Sequence, residues 1–361
     1  MSKTSSEPRH IIYLYEDSKT AQYRYRVWNP FWACKEGSEK WRSIIFDIDE
    51  IEELRKKLST AEILIIERQT AKNNIIPNLI KEAKKLGLRV IFDIDDLIFD
   101  YRDLTLIKHA TQEKSLLYWA GYIWGIRRIA KRVDGFLATN DFLAKKIKRS
   151  FGKPVAVIPN SLNSAQVLCS RKETLAEIKP HDGFVLGYFS GSPTHANDFR
   201  LIESQIAEFL EKHNDARLKI VGYMNLSPIL KCFFDDGRII VKQPVDFEKL
   251  VQEIAEVDIN LAPLVENDFT NCKSELKFFE AAVVETPTIA SPTYAFKQAI
   301  EDGETGLLAK PNEWFDKLEL LYNHPDKARK IALTAKDYCL KTYYGKNFLT
   351  QVERAYDALA K

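Results

Sequence analysis

The sequence predicts an α/β fold with parallel sheets and helices on both faces, arranged as two domains. Short apolar runs that read as buried strands recur along the chain, and helix-periodic stretches separate them. The length, 361 residues, is more than one hydrophobic core ordinarily serves.

In order, residues 10–15 (His-Ile-Ile-Tyr-Leu-Tyr) form the first expected strand. Arg24 and Arg26 follow in Tyr-Arg-Tyr-Arg-Val, then an aromatic cluster of Trp28, Phe31 and Trp32. The loop after the first strand of such a sheet opens into the ligand crevice, so these arginines are candidates to meet a phosphate. A surface helix with paired arginines is the alternative. Residues 43–46, 63–66 and 90–92 read as further strands, with helices at 50–58 and 75–86, the second ended by Gly87.

Asp93-Ile-Asp-Asp96 comes directly after the strand at 90–92. Carboxylates at a strand's C-terminal end stand where α/β proteins place ligands. Asp93, Asp95 and Asp96 are suited to hydrogen-bond sugar hydroxyls, to act as a base or to bind Mg²⁺, although that ion usually takes only one or two carboxylates. An N-cap plus a solvated turn is the other reading. Residues 109–132 read as one long helical region with Tyr118, Trp119, Tyr122 and Trp124, then Arg127, Arg128, Lys131 and Arg132. Residues 131–153 hold seven basic side chains against two acidic ones. Aromatics in such a helix are more often core and the basic residues a solvated end, with an anionic membrane surface as the alternative. A strand at 135–139, a helix at 142–148 capped by Asn140, a strand at 155–160 and a polar linker at 163–183 complete this half.

The second half opens on a buried strand at 184–190, then Gly191 and His195, with Asn197 and Asp198 before a helix starting near Phe199. A glycine turn there lets a ligand approach the backbone, and the helix start beyond it favours anions. Strands at 218–222, 238–241 and 257–263 lead into the stretch 271–306, around which the chain is organised. Ser274 is the expected N-cap, with Leu276, Phe279 and Val283 on the packed face, Lys277 and Glu280 on the other, and Lys273 just outside. Lysines at a helix start cost a few tenths of a kcal/mol to about 1 each unless an anion sits there. Free N–H groups, the helix dipole and two ammonium groups together suit a diphosphate, a solvated helix end being the alternative. Three strand ends, at 190, 263 and 291, are expected to converge. Residues 313–361 read as helical with a break at Tyr344-Gly345.

Composition excludes several classes. The chain is 45% hydrophobic and 29% charged with net charge +2, so nothing global favours nucleic acid. No apolar run approaches the roughly 20 residues of a membrane span, and residues 1–10 lack a signal peptide's apolar core. Five scattered cysteines without a C-x-x-C pair argue against a disulfide framework or zinc, and for a reducing cytoplasm. No G-x-G-x-x-G, G-x-S-x-G, H-E-x-x-H or Walker loop is present.

Several of these residues carry a resemblance. Lys273-Ser274…Lys277…Glu280 resembles the donor-binding segment of retaining GT-B glycosyltransferases of the family 4 type, and of a subgroup that builds surface polysaccharides. The Asp93–Asp96 run, the Val-Ile-Pro-Asn of 157–160 and the set Ser190-Gly191…Thr194-His195…Asp198-Phe199 resemble stretches of the same group. The departures are Cys272, where a sugar-contacting glutamate is usual, and Glu285, where glycine is.

The resemblance implies two Rossmann-like domains whose parallel sheets face an interdomain cleft. Residues 1–162 would take the acceptor, 163–345 the nucleotide-sugar, and a final helix, 346–361, would cross back to the first domain. It implies transfer of a sugar from a nucleoside-diphosphate sugar to a hydroxyl of a glycan or lipid-linked glycan, with retention and without a metal or other cofactor. Lys273 and Lys277 would stabilise the leaving group with Ser274 and Gly191, Glu280 would hold the ribose, and His195 the donor phosphates or the rim of the base. Asp93, Asp95, Asp96, Arg24 and Arg26 would face the acceptor. The departing phosphate itself can take the acceptor's proton. A catalytically silent binding module and a nucleotide-sugar epimerase or hydrolase are the rival functions. Expected partners are thus the donor and acceptor, with a membrane surface as a further one.

Overall fold

The computed structural model describes residues 7–71, 74–111, 114–169, 182–191, 196–224 and 226–361. The chain divides into two compact units, 1–109 with 114–161 and 343–361, and 110–113 with 162–342. The first unit is built on a six-stranded parallel sheet in the order β2-β1-β3-β4-β5-β6. Its strands are β1 (Arg9–Tyr15), β2 (Trp41–Asp47), β3 (Ile63–Glu67), β4 (Arg89–Asp93), β5 (Gly135–Ala138) and β6 (Val155–Val157). All five residues of β3, Ile-Leu-Ile-Ile-Glu, are buried, as expected of a strand covered on both faces.

The helix Ile75–Lys85 buries Ile76, Leu79, Ile80 and Ala83 at helical spacing. Asn140 accepts from the Leu143 N–H at 2.9 Å and so starts the helix Asp141–Phe151, which ends on Gly152 in the left-handed region. The last helix, Gly345–Leu359, belongs to this unit. It packs Phe348, Val352, Ala355, Tyr356 and Leu359 against a core that includes Ile11, Tyr13 and Trp41. The buried Tyr13 and Tyr356 hydroxyls meet at 2.5 Å. Each large apolar side chain so covered contributes about 1.5–3 kcal/mol.

The second unit repeats the plan with β7 (Phe184–Ser190), β8 (Ala216–Gly222), β9 (Ile239–Lys242), β10 (Ile259–Ala262), β11 (Thr288–Ala290) and β12 (Leu307–Leu308), in the order β12-β11-β10-β7-β8-β9. In both sheets the strand order reverses once, between β1 and β3 and between β7 and β10. Ligands of open α/β sheets bind beyond the strand ends at such reversals. Gly222 closes β8 with φ 115°, and a Cβ there would fall 1.9 Å from the Ser190 carbonyl oxygen. Gly222→Ala is therefore expected to destabilise the protein by about 3 kcal/mol or more. Urea unfolding followed by circular dichroism measures this.

Two stretches differ from the sequence expectation. The region 109–132 is not one helix but two, Leu104–Thr111 and Leu116–Ala130. Ser115 makes the break by accepting from the Tyr118 N–H at 3.1 Å, which caps the second helix. The polar stretch from 163 contains a short helix, Ser164–Cys169, begun by reciprocal bonds between Asn163 and Gln166. The rest of that stretch up to 181 lies outside the described residues.

Candidate functional site

In the second unit, the strand ends at 190, 262 and 290 are neighbours, because β7, β10 and β11 pair in parallel. The sequence after β10 turns twice before its helix. Asn267 accepts from the Phe269 and Thr270 N–H groups to start the short helix Asp268–Asn271, and Thr270 Oγ1 donates back to the Val265 carbonyl. Asn271 Oδ1 accepts from the Tyr294 N–H at 2.8 Å, tying this loop to the segment after β11. The helix Leu276–Val283 follows.

Its N-cap is Glu275 rather than the expected Ser274, and Glu275 makes no side-chain cap bond. The packed face is also broader than its periodicity predicts. Phe278, Phe279, Ala281, Ala282 and Val283 are buried, whereas Leu276 is only half-buried.

Lys277 is the best-defined polar group of this region. Its Nζ donates to the Phe189 carbonyl at 2.5 Å and lies 4.6 Å from the centroid of the Tyr188 ring, at the end of β7. Burial pushes its pKa down to about 8; Asp198 and Glu280 pull it back up, and Lys273 adds to the fall. Lys273 Nζ sits 5.0 Å over the Phe269 ring. Glu280, one turn beyond Lys277, has Oε1 3.5 Å from Gln166 Nε2. A Cβ on exposed Gly191 would meet nothing within 4 Å, so the backbone there is open to close approach. His195 lies outside the described residues. Cys272 is fully buried. Glu285 takes φ 62°, the left-handed value for which glycine is usual, and its carboxylate accepts from Lys336 Nζ at 2.8 Å.

Two further side chains hold this arrangement, Asn260, which the sequence reading did not single out, and Asp198, which belongs to the resembling set after β7. Asn260, within β10, donates to the Lys277 carbonyl at 2.9 Å and to Thr288 Oγ1 at 3.0 Å. Asp198 Oδ1 accepts from the Val265 N–H at 2.9 Å. A polar Asn in an otherwise apolar strand was the available signal, since a buried amide needs partners.

In the first unit the acidic run after β4 is densely paired. Arg26 and Asp93 form a buried two-pronged ion pair, Nε–Oδ1 3.0 Å and Nη2–Oδ2 3.1 Å. Arg26 also donates to the Ile158 carbonyl at 2.6 Å and to Asn160 Oδ1 at 3.1 Å. Both residues were expected to face an acceptor, and the structure gives each a partner within the protein instead. Arg26 and Arg24 lie in a π-helical turn, Arg24–Trp28, immediately before the helix Asn29–Gly37. Pro30 lacks the N–H that would bond to the Arg26 carbonyl, and the Asn29 N–H reaches back to Arg24 instead. The Arg24 guanidinium lies 5.8 Å from the Tyr25 ring.

Asp95 and Asp96 share Arg68, with Nη1 3.1 Å from Asp95 Oδ1 and 3.2 Å from Asp96 Oδ2. Asp95 Oδ1 is buried and out of hydrogen-bonding alignment, so it retains acceptor capacity. Burial pushes the Asp95 pKa up to about 6, with Arg68 opposing and Asp96 and Asp93 adding to the rise. Arg68 and its neighbour Glu67 were missed, although they end β3 just as Asp93 ends β4. Among the described residues, no group of three His, Cys, Asp or Glu is placed to hold a metal ion.

Glu67 is buried beside Asp95 and Asp93, and burial raises its pKa to about 8. A carboxyl whose folded pKa exceeds its unfolded one is protonated preferentially in the native state. Its contribution is complete below the ordinary range near pH 4.5 and is lost as pH rises through about 8. Glu67→Gln is therefore expected to change stability little at pH 5 and to raise it by about 2–4 kcal/mol at pH 9. Urea unfolding at the two pH values tests the sign.

A family model for group 1 glycosyl transferases matches residues 184–324, which lie in the second unit. No curated protein sequence matches the chain. Solved structures do. Sucrose-phosphate synthase from Thermosynechococcus elongatus superposes with TM-score 0.66 at 12% identity, covering 98% of this chain and 99% of that one. A glycosyltransferase from Rickettsia africae gives 0.65 at 12%, covering 99% and 100%. HepE from Anabaena, in complex with UDP and glucose, gives 0.62 at 11%, covering 98% and 99%. The chain has the GT-B glycosyltransferase fold, and residues 184–324 within its second unit match the group 1 glycosyl transferase model.

Proposed function

We propose that the protein is a retaining glycosyltransferase that moves a sugar from a nucleoside-diphosphate sugar to a hydroxyl of a glycan or lipid-linked glycan in surface-polysaccharide synthesis. The observation that carries this is Lys277. An ammonium group held at the end of β7, beside the strand-order reversal, is followed one turn later by Glu280. HepE, with UDP and glucose, has the same fold, which supports a nucleotide-sugar as donor.

In this reading Lys273, Lys277, the backbone at Ser274 and Gly191, and His195 take the diphosphate, and Glu280 takes the ribose hydroxyls. The sugar C1–O bond to the diphosphate breaks and a new C1–O bond to the acceptor forms on the same face. The acceptor proton passes to the departing phosphate oxygen. The protein's work is then positioning and stabilisation of the leaving charge, done by ammonium groups and backbone dipoles with no metal.

In the first unit, Asp95 and Asp96, which share Arg68, take the acceptor hydroxyl in this reading. Arg24 is assigned to the acceptor as well, while Arg26 and Asp93, paired with each other, hold the frame. The five cysteines are free thiols, which suits a reducing cytoplasm.

The test is thermal melting across a panel of nucleoside-diphosphate sugars, then transfer assays with the one that stabilises. Lys273→Ala and Glu280→Ala should each lower transfer by about a hundredfold or more with the fold intact. Normal activity in both would eliminate this assignment. Buried Cys272, where the resemblance expects a sugar-contacting glutamate, favours a second reading as a binding module. That reading predicts stabilisation by the donor without turnover; donor consumption without an acceptor would instead mark an epimerase or hydrolase.

A further inference from the structure

β3 and β4 end side by side, with Glu67 in register with Asp93. The charged groups around this end are paired. Arg68 Nη1 lies against Asp95 and Asp96, and its Nη2 donates to Gln22 Oε1 at 2.6 Å. Asp93 is neutralised by Arg26. The cluster opens outward at Asp95 and Asp96, whose side chains are 18% and 29% exposed.

Two buried neighbours have no such partners. Glu67 is 4% exposed, and among the described residues its carboxyl meets no hydrogen-bond donor. It faces Asp95, Arg68 and Asp93, and Glu16 just after β1. Gln69, two residues on, is also 4% exposed, and its Nε2 has no hydrogen-bond partner. Buried polar atoms nearly always have partners. Two exceptions at the end of a parallel sheet where ligands bind therefore call for a function.

The chemistry of the cluster selects the ligand. Asp95 and Asp96 share one guanidinium, so negative charge is in excess and phosphate or carboxylate groups are repelled. Burial raises the Glu67 pKa to about 8, so at pH 7 it is mostly a neutral acid, which donates through one oxygen and accepts through the other. Gln69 adds amide donors, and Asp95 and Asp96 add acceptors. A hydroxyl both donates and accepts. Neighbouring hydroxyls on an uncharged ring satisfy this set, and an anion does not.

We propose that this end of the first unit binds one uncharged sugar residue, with Glu67 and Gln69 hydrogen-bonding its adjacent hydroxyls and excluding phosphorylated, acidic and amino sugars. The inference rests on the reading of this unit as the acceptor half, and it narrows the acceptor to one whose terminal residue is a neutral sugar. Folding leaves both side chains unsatisfied and the ligand supplies the missing bonds. Binding and stability are thus opposed at these two positions.

The test is ligand-observed NMR titration of the full chain, without donor, with the methyl glycosides of glucose, galactose, mannose and N-acetylglucosamine. Phosphates, uronates and amino forms of the same sugars are the charged counterparts. At least one neutral glycoside should bind about tenfold or more tightly than its counterparts. Glu67→Leu and Gln69→Leu should each weaken it about tenfold while holding or raising the melting temperature, because each removes a buried group without a partner. Glu67→Gln, which also donates and accepts, should stay within about threefold of wild type.

Three results would overturn the proposal. One is no neutral glycoside bound more tightly than its charged counterparts. Another is an amino sugar bound most tightly, which would assign the cluster to a cation. The third is wild-type affinity with a lowered melting temperature in both leucine variants, which would make these residues packing groups. Donor-induced melting is read separately. A neutral glycoside bound by a chain that no nucleotide-sugar stabilises would keep this subsite and remove the transfer reading.

Discussion

Lys277→Met should lower kcat/KM for sugar transfer by about a thousandfold while leaving the melting temperature nearly unchanged. The two halves of that expectation have separate causes. Methionine keeps the length of the stem against the Tyr188 ring, and the lost bond to the Phe189 carbonyl is worth about 1 kcal/mol. Removing a half-buried ammonium also removes its desolvation penalty. On the proposed function the leaving diphosphate loses a nearby cation, and single donors of that kind are worth about 2.7–4 kcal/mol in the transition state.

The wild type carries its own check in pH. Burial holds the Lys277 pKa near 8, so roughly nine-tenths of it is charged at pH 7. A bound diphosphate favours the ammonium form, so donor binding takes up protons above pH 8. Donor affinity should then fall as pH rises past about 8, by up to about tenfold per unit, and this dependence should vanish in Lys277→Met. The stability sign is opposite. A lysine with a depressed folded pKa contributes least below 8 and regains its full contribution only above the ordinary value of 10.5. Transfer within tenfold of wild type in Lys277→Met would show that this side chain does not serve the leaving group.

Arg26→Met is expected to destabilise the protein by about 3–5 kcal/mol, the largest stability effect predicted for a side chain of the first unit. It strands Asp93, whose side chain is 2% exposed, without its counter-charge, and frees the Ile158 carbonyl. Burial already raises the Asp93 pKa and Arg26 opposes that rise. Without the guanidinium, Asp93 should protonate at still higher pH, so the loss should be greater at pH 8 than at pH 5. Adding Asp93→Leu should recover part of it, because the pair then leaves together. Urea unfolding of the two single variants and the double one gives the coupling. A loss below about 1 kcal/mol for Arg26→Met would contradict the buried pair.

Legibility in the sequence followed the range of the interaction. β1, β3, β4 and β7 stand out because strands buried on both faces are short unbroken apolar runs. Asn140 announced a helix start because its partner is three residues away. Ser274 failed as a cap by a single residue, where the backbone of Glu275 decides the start. The helix at 109–132 split because Ser115 offers a cap that periodicity does not weigh. Arg26 and Asp93, 67 residues apart, each read as a candidate to face an acceptor, and only the fold shows that they pair with one another. Glu67 and Arg68 escaped notice because a strand read as ending at Ile66 hides what its last residue carries. Gly222 gave no signal at all, since its necessity comes from the carbonyl of a neighbouring strand.

The corner at Glu285 has a consequence for how solution conditions reach the helix Leu276–Val283. A glycine would turn that corner by backbone freedom alone, whereas here a charged side chain fastens it to Lys336 on the long helix Pro325–Tyr343. Such a fastening loosens as counter-ions accumulate. The far end of the segment bearing Lys277 and Glu280 is therefore moored by a contact that ionic strength can slacken, well away from any phosphate.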